Sequence, residues 1–284
     1  MNERFEPDVP SESEEISRTV DERFASRVTM SVPDRHNPRL HKVMDLVNQD
    51  DDLYALWLAA NVNAVERLEM TDHGPVHVKI VMNIAVRMLR LLSDAGVEPS
   101  VTTHYGLPPE DAEVVVALAA LLHDVGMSIH RTGHEEFSLF IAKDKLDDML
   151  PQIYDRRAST IMRSEVLHAI IAHRSGGLPL TLEAGIVRIA DALDMAKGRS
   201  RIPFAAGSPS IHSISAQAIE AVTIDKGAER PIRLTVEMSN SAGVFQLDQL
   251  FRDKLKGSGI EEYVEVEGRM EGDTEKRLFR QFKL

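Results

Sequence analysis

The chain has 284 residues, a formal net charge of −12 at pH 7 and no cysteine. The acidic balance argues against a protein that coats nucleic acid, because such a protein normally needs a basic surface. The absence of cysteine excludes disulfides, thiolate nucleophiles and cysteine-based zinc sites, so any metal ion must be held by His, Asp and Glu side chains.

The N-terminal segment, residues 1–35, is predicted to be a charged arm that is either frayed or carries an edge helix. Its first residues, Met1–Ser11, are polar and acidic and lack the apolar core of a signal peptide. The longest apolar run of the chain, Val114–Leu122, is far shorter than the about 20 residues that a membrane-spanning helix needs. We therefore expect a cytoplasmic protein that makes no membrane contact.

Two helical stretches follow the arm. Between residues 38 and 70 the apolar residues recur at helical spacing, and Trp57 is expected in the core. A break at Thr71–Pro75 precedes the second helix, with the proline in its first turn. His77 lies in the first turn on the margin of the apolar stripe, and His73 lies before the helix.

A helix without a polar face spans Val114–Leu122, which predicts that it is buried on all sides. It delivers His123 and Asp124 to its inner end, and Gly126 is placed to close it. Both polar side chains need partners, because an unpaired buried aspartate is energetically costly. A metal ion is one such partner, and a hydrogen-bonded His–Asp pair that caps a core helix is the other. This stretch alone does not decide between them.

The next helix is predicted to begin with a capping box formed by Thr132 and Glu135, which places His134 in the first turn. The amino-terminal end of a helix disfavours a protonated imidazole and so helps to keep His134 neutral for metal binding. His130 and Arg131 lie in the loop before it.

A further helix is predicted from about Ser159 to Arg174. His168 and His173 within it are separated by about 140° around the helix axis, so they cannot both face one site. His173, at the end of the helix, is the better ligand candidate. His168 is assigned a structural or supporting role.

The last predicted helix of this region begins at Thr181, which is a suitable N-cap residue. Asp191 has apolar neighbours on both sides in the sequence, where a carboxylate would normally be excluded. Glu183 and Asp194 are assigned to the surface of this helix. Three basic residues, Lys197, Arg199 and Arg201, follow closely.

After about Pro203 the pattern changes from helix to strand. Val244–Leu255 is predicted to be a helix. Strand-like composition with partial alternation is found in four stretches: Ile211–Ile224, Pro231–Met238, Tyr263–Glu267 and Lys276–Phe282. We therefore predict a mainly α protein, made of a helical metal-binding domain at residues 36–205 and a small α+β accessory domain at residues 206–284.

Polar residues at helix ends thus recur along the chain. Six of them are candidate metal ligands: His77, His123, Asp124, His134, His173 and Asp191. Each alone has a simpler explanation as a satisfied core residue, but six in a predominantly helical chain favour a metal site. The order H…HD…H…H…D, with Leu121–Gly126 at its centre and Ile189–Asp194 at its end, resembles the HD superfamily of metal-dependent phosphohydrolases. The resemblance covers roughly residues 70–200.

The resemblance implies an HD-type helical bundle and a hydrolase that acts on phosphate esters through a metal-activated water. One or two divalent ions are expected, drawn from Mn, Fe, Ni, Co and Mg. For two ions, the expected ligands are His77, His123 and Asp191 on one and His134 and His173 on the other, with Asp124 bridging both as a catalytic residue. The substrate is expected to be a small phosphorylated compound, a nucleotide or cyclic nucleotide, so the enzyme would be a phosphodiesterase or a phosphomonoesterase. Met127 replaces the lysine of the cyclic-di-GMP phosphodiesterase branch, which argues against that substrate.

Other side chains near the proposed ligands are candidates for substrate contacts. Phosphate binding is assigned to four of them: Arg131, Lys197, Arg199 and Arg201. Solvated surface charge is the alternative for each. His73 and His130 are candidates for a general acid that protonates the leaving oxygen, and with His168 they are also candidates for groups that support the ligands from behind.

A non-enzymatic regulator is the alternative function. It would bind a metal ion or a nucleotide, and its C-terminal region would mediate dimerisation or partner binding. The intact set of ligands favours the enzyme. A homodimer is compatible with both functions.

Overall fold

The fold of the chain is given by a computed structural model that describes residues 19–33, 36–174, 176–195, 215, 218–270 and 281–283. Within these ranges the protein is mostly helical and ends in a small sheet, so the predicted fold class is confirmed. None of the helices in the described ranges is long and apolar enough to cross a bilayer. The predicted domain limits, 1–35, 36–205 and 206–284, stay predictions.

The helices before the sheet are α1 (Val20–Ala25), α2 (Pro38–Gln49), α3 (Asp51–Asn61), α4 (Pro75–Asp94), α5 (Ser100–Tyr105), α6 (Asp111–Leu122), α7 (His134–Met149), α8 (Arg156–Ala172) and α9 (Leu182–Leu193). A π-helical turn at Val62–Arg67 extends α3, and 3₁₀ turns lie at Val125–Ser128 and Leu150–Gln152. Pro75 occupies the first position of α4, and the Thr181 hydroxyl accepts the Ala184 N–H at the start of α9, as predicted.

Helix α6 lies at the centre of the bundle, packed against α2, α4, α8 and α9. Every residue from Val114 to Leu122 is buried, as the absence of a polar face predicted. Trp57 is also buried, and its indole N–H donates to the carbonyl of Leu121 at 2.8 Å. This bond uses one of the carbonyls that the end of α6 leaves without a partner inside the helix.

Two predictions at the start of α7 and α9 are wrong. Thr132 does not cap α7; Gly133 precedes the helix with φ of 77° and no side chain caps it, so there is no capping box. Glu183 is not a surface residue of α9. It is fully buried, and its carboxylate accepts the Val101 N–H at 3.1 Å, which ties α9 to the start of α5. Burial raises the pKa of Glu183.

Gly126 does not close α6, because α6 ends at Leu122 and Gly126 lies in the following 3₁₀ turn. Its role is to allow a close approach to α7, where a Cβ would overlap the carbonyl oxygen of His134. The Gly126 N–H donates to the Ser138 hydroxyl at 2.9 Å, and this hydroxyl donates to the carbonyl of His123 at 2.7 Å. The end of α6 and the start of α7 are therefore fixed to each other.

Replacing Gly126 by alanine is expected to destabilise the protein by about 1–3 kcal/mol, because an added Cβ forces the 3₁₀ turn away from α7. The displacement should also lower the metal content, since His123 and His134 lie on the two sides of this contact. Urea denaturation and elemental analysis measure the two effects. The Ser93→Ala variant, at an exposed position near the end of α4, should behave as wild type. A Gly126→Ala protein of unchanged stability would contradict the steric role of this glycine.

The C-terminal sheet has four strands in the order β1 (Ile219–Lys226), β2 (Ile232–Met238), β3 (Val264–Met270) and β4 (Gln281–Lys283). β2 and β3 are parallel, with Ile232 opposite Val264, and the other two pairs are antiparallel. The predicted helix between β2 and β3 is confirmed: α10 (Gly243–Phe245), a π-helical turn (Gln246–Phe251) and α11 (Arg252–Leu255) follow one another without a break. Parts of the predicted first and last strands, residues 211–214, 216–217 and 276–280, lie outside the described residues.

The sheet packs on the helical bundle through an apolar core that continues from one into the other. Gly185 of α9 is essential to this packing, because a Cβ at this position would overlap the carbonyl oxygen of Ser258. Arg87 of α4 donates to the carbonyl of Ile224 in β1. The helical segment between the parallel strands also packs against α9.

Candidate metal centre

The six predicted metal ligands come together where five helices meet. His77 lies in the first turn of α4 and His134 is the first residue of α7. His123 and Asp124 directly follow α6, and His173 directly follows α8. Asp191 lies in the last turn of α9. Helix ends thus supply each of these side chains, and all of them except Asp191 are buried.

The carboxylate of Asp124 lies between two groups of imidazoles. Its Oδ2 is 3.4 Å from Nε2 of His77 and 3.2 Å from Nε2 of His123. Its Oδ1 is 3.2 Å from Nε2 of His134 and 3.8 Å from Nε2 of His173. Each oxygen of one carboxylate therefore faces a different pair of nitrogens.

Asp191 completes the first of the two groups. Its Oδ1 lies 3.7 Å from Nε2 of His77 and 3.8 Å from Nε2 of His123. The ligand atoms of His77, His123 and Asp191 all lie within 4.8 Å of one another, and the same holds for His123, Asp124 and His173. The oxygens of Asp124 divide the imidazoles as the two-ion hypothesis does, but His123 belongs to both of these three-residue groups and His134 to neither. The number of ions stays a prediction.

Contacts behind the imidazoles orient them. The Nδ1 atom of His123 is 2.8 Å from the carbonyl of Ala120, and Nδ1 of His173 contacts the carbonyl of Ile170. An Nδ1–H that donates to a carbonyl leaves the lone pair on Nε2, which points into the centre. Both histidines are therefore held in the tautomer that a metal ion requires.

Asp194 orients the third imidazole in the same way. Its Oδ2 is 2.6 Å from Nδ1 of His77, and its side chain is nearly buried. The predicted surface role of Asp194 is therefore wrong. The residue follows the last turn of α9, and its side chain turns inward to the start of α4.

Glu135 has a similar place beside His134. Its Oε2 is 3.1 Å from Nδ1 of His134, and the carbonyl of Arg131 is 3.0 Å from the same nitrogen. Either oxygen can accept an Nδ1–H and leave the lone pair on Nε2 of His134, facing Asp124. A hydrogen bond from Nη1 of Arg131, 2.8 Å from the same Nδ1, would require the other tautomer. The carboxylate that the sequence assigned to a capping box thus contacts a candidate ligand.

The donor set fits a divalent cation. Nε2 of His77 and Nε2 of His123 are only 3.2 Å apart and both lie beside carboxylate oxygens. Two nitrogen lone pairs at this distance repel each other unless a proton or a cation lies between them. Imidazole nitrogens together with carboxylate oxygens suit the first-row divalent metals.

The electrostatics of the centre agree with this chemistry. Burial lowers the pKa of His123, but the charges of Asp124 and Asp191 outweigh burial and raise it to about 10. Burial opposes ionisation of Asp124, yet His123 and the other imidazoles hold its pKa well below the usual range. Burial, followed by the charge of His123, lowers the pKa of His173 to about 3. Burial likewise opposes ionisation of Asp191, but Lys254, His123 and His173 hold its pKa well below the usual range. Both carboxylates thus stay ionised and require positive charge beside them.

The other predicted site histidines have different places. Nε2 of His73 lies 4.0 Å from Oδ2 of Asp124, so His73 is at the edge of the centre. His130 is exposed, and its Nδ1 accepts the Thr132 N–H at 3.0 Å. Among the described residues, the hydrogen bonds of His130 are with Thr132 and not with a candidate ligand, and its catalytic role stays a prediction. His168 is bound to the following loop and accepts the Leu180 N–H at 3.0 Å.

The predicted phosphate-binding residues are only partly described. Arg131 lies beside the centre, with Nη1 at 2.8 Å from Nδ1 of His134. Lys197, Arg199 and Arg201 lie outside the described residues. A cation that the sequence did not suggest is Lys254 of α11, whose Nζ is 3.5 Å from Oδ2 of Asp191. The sequence around Lys254 does not indicate a place near the metal centre, because this contact depends on how the C-terminal region packs on α9.

Comparison with known proteins agrees with the geometry. The HD domain family matches residues 76–196, a segment that contains all six candidate ligands. An uncharacterized protein of Methanocaldococcus jannaschii is 43% identical over 225 residues, which cover 79% of this chain and 86% of that protein. The similarity to this relative therefore extends well beyond the segment that carries the ligands.

Proposed function

The chain belongs to the HD domain family, which indicates the superfamily of metal-dependent phosphohydrolases. From this membership we propose that it hydrolyses phosphate esters of small molecules, nucleotides or cyclic nucleotides among them. The resemblance that the sequence predicted is confirmed at the level of the family. The observation that carries the proposal is the placement of Asp124, each of whose oxygens faces a separate pair of imidazoles. This arrangement supports two ions that share one carboxylate.

The candidate ligands would hold the ions in two groups. His77, His123 and Asp191 would hold one ion, and His134 and His173 the other, with Asp124 contributing to both. Divalent ions at such a site supply Lewis acidity, which acidifies water and offsets charge on a phosphoryl group. The carbonyls of Ala120 and Ile170 keep two of the imidazoles in the tautomer that this role requires.

His73 is our candidate for the general acid. Its ring lies at the edge of the centre, near His77, with 5.6 Å between the ring centroids. Its Nδ1 is 2.7 Å from the carbonyl of Thr71 and donates to it, so Nε2 can deliver a proton to the leaving oxygen of an ester when the ring is doubly protonated. The guanidinium of Arg131, beside His134, is a candidate contact for a phosphoryl oxygen.

Metal analysis and two aryl phosphates test the proposed function. The purified full chain is assayed on bis-p-nitrophenyl phosphate and p-nitrophenyl phosphate with Mn, Fe, Ni, Co and Mg. We expect bound metal and metal-dependent turnover of at least one ester. Turnover of the diester alone selects a phosphodiesterase, and turnover of the monoester alone selects a phosphomonoesterase. A protein without bound metal and without turnover under all these conditions would rule out the enzyme and favour a regulator.

A screen of nucleotides and cyclic nucleotides then identifies the substrate class. The assay follows release of phosphate or opening of the cyclic ester under the metal that gives the highest aryl phosphate turnover. Activity on aryl esters without activity on any nucleotide would refute the nucleotide part of the proposal. It would leave the hydrolysis of small phosphate esters intact.

A further inference from the structure

Among the candidate ligands of the metal centre, Asp191 is the most exposed to solvent. The side chains of His77 and His123 are fully buried, and those of Asp124, His134 and His173 are 5%, 6% and 4% exposed. Asp191 is 20% exposed, and the side chain of Lys254 next to it is 22% exposed. A substrate therefore reaches the centre most directly past Asp191 and Lys254.

Lys254 has an ammonium group with unused binding capacity beside Asp191. Its Nζ donates to the carbonyl of His173 at 2.7 Å and lies 3.5 Å from Oδ2 of Asp191. The second distance is long for a charge-assisted hydrogen bond, which is normally about 2.7–2.9 Å. An ammonium group carries more N–H donors than the contacts it makes with the described residues use. The group can therefore bind an incoming anion without leaving the carbonyl of His173.

The fold fixes the position of Lys254. Arg188 of α9 is buried, and its guanidinium donates to the carbonyls of Lys254 at 2.9 Å and Asp253 at 3.3 Å. The same guanidinium donates to the carbonyls of Gly177 and Arg174 in the loop after α8. The ammonium of Lys254, which donates to the carbonyl of His173 at the carboxyl end of α8, is also favoured by the dipole of that helix. Arg188 thus fastens α11 to the end of the bundle that carries His173.

We propose that Lys254 binds a phosphoryl oxygen of the substrate beside Asp191 at the metal centre, so that the C-terminal α+β region completes the active site. The proposal deepens the proposed function and rests on it. A lysine ammonium is a compact charge that suits a phosphoryl oxygen. Its contact with Oδ2 of Asp191, whose Oδ1 faces the imidazoles, places it next to the reacting group.

The test compares three variants of the metal-loaded full chain. Lys254→Met removes the charge, Lys254→Arg keeps it, and Lys256→Met removes a neighbouring exposed charge as a matched control. Binding of inorganic phosphate is measured by calorimetry, and kcat and KM are measured on the better aryl phosphate. Metal content and the thermal transition of each variant are recorded in parallel.

Lys254→Met is expected to weaken phosphate binding about 10-fold to 100-fold and to raise KM more than it lowers kcat, with unchanged metal content. Lys254→Arg should stay within a few-fold of wild type, and Lys256→Met should equal wild type. Unchanged phosphate affinity in Lys254→Met, or no phosphate binding by the wild type, would overturn the proposal. Loss of metal in Lys254→Met would also overturn it, because the lysine would then act through Asp191. If Lys254→Met fails to fold, Lys254→Gln takes its place.

The two proposals fail in different ways. A wild-type protein that holds metal and binds phosphate but turns over neither ester would refute the proposed function. The calorimetry would still decide whether Lys254 binds the anion. Turnover that is insensitive to Lys254→Met, with phosphate affinity unchanged, would refute only the assignment of Lys254.

Discussion

Replacing Asp124 by asparagine is expected to reduce hydrolysis by about 10³-fold or more, because a loss of several kcal/mol of transition-state stabilisation corresponds to a factor of this size. The change keeps the shape of the side chain but removes its charge and one acceptor oxygen. An asparagine can face either the His77 and His123 side or the His134 and His173 side with an oxygen, but not both. Steady-state kinetics and elemental analysis measure the effect.

The metal content of Asp191→Asn is compared with that of Asp124→Asn. Asp191→Asn changes only the group formed with His77 and His123, so the second group stays complete. If two ions are bound, Asp191→Asn should keep about one, whereas Asp124→Asn should weaken the binding of both, because the charge that they share is removed. Asp147→Asn, at a surface carboxylate paired with Lys143, serves as the control and should match wild type. Full activity with full metal content in Asp124→Asn would refute the site itself.

Replacing Asp194 by alanine should weaken metal binding about 10-fold to 100-fold, although Asp194 is not a candidate ligand. Its Oδ2, 2.6 Å from Nδ1 of His77, fixes the orientation of the ring and raises the basicity of Nε2. Competition with a chelator of known affinity measures the change. Asp194→Asn should have a smaller effect, because the amide oxygen still accepts a hydrogen bond from Nδ1.

The matched control for Asp194 is Glu135, whose carboxylate contacts His134. Nδ1 of His134 is also 3.0 Å from the carbonyl of Arg131. In Glu135→Ala, an Nδ1–H can therefore still donate to this carbonyl. We therefore expect a smaller loss of metal affinity for Glu135→Ala than for Asp194→Ala. Equal losses would mean that the carboxylates act through their charge rather than by orienting a ring.

The sequence was most informative where polar residues interrupt apolar helices. A buried carboxylate such as Asp124 has few possible partners, so the stretch around it predicted a buried helix and left two partners open, a metal ion and a hydrogen-bonded His–Asp pair. The set of candidate ligands could be assembled because each lies at a helix end, and helix ends are marked by prolines, caps and changes of pattern. The order of these residues along the chain, H…HD…H…H…D, then resembled the pattern of the HD superfamily.

The sequence was least informative about contacts between distant segments. Glu183 and Asp194 were assigned to the surface because a helix usually has one exposed face, but Glu183 contacts the start of α5 and Asp194 contacts His77 of α4. Thr132 and Glu135 satisfy the spacing of a capping box, yet Glu135 contacts His134 instead. Lys254 could not be found, since its distance from Asp191 depends on the packing of α11 against α9.

The contact of Gly185 with Ser258 has a consequence for how the protein unfolds. The bundle and the sheet share one apolar core. Arg188 of α9 donates both to the carbonyl of Gly177 in the bundle and to the carbonyl of Lys254 in the C-terminal region. Cooperative units of unfolding follow such shared cores rather than the order of the chain. Amide hydrogens of α9 should therefore exchange together with those of β2. A molecule that weakens the packing of the sheet would also destabilise α9, which carries Asp191. Binding at the sheet would therefore change the geometry of the candidate metal centre from a distance.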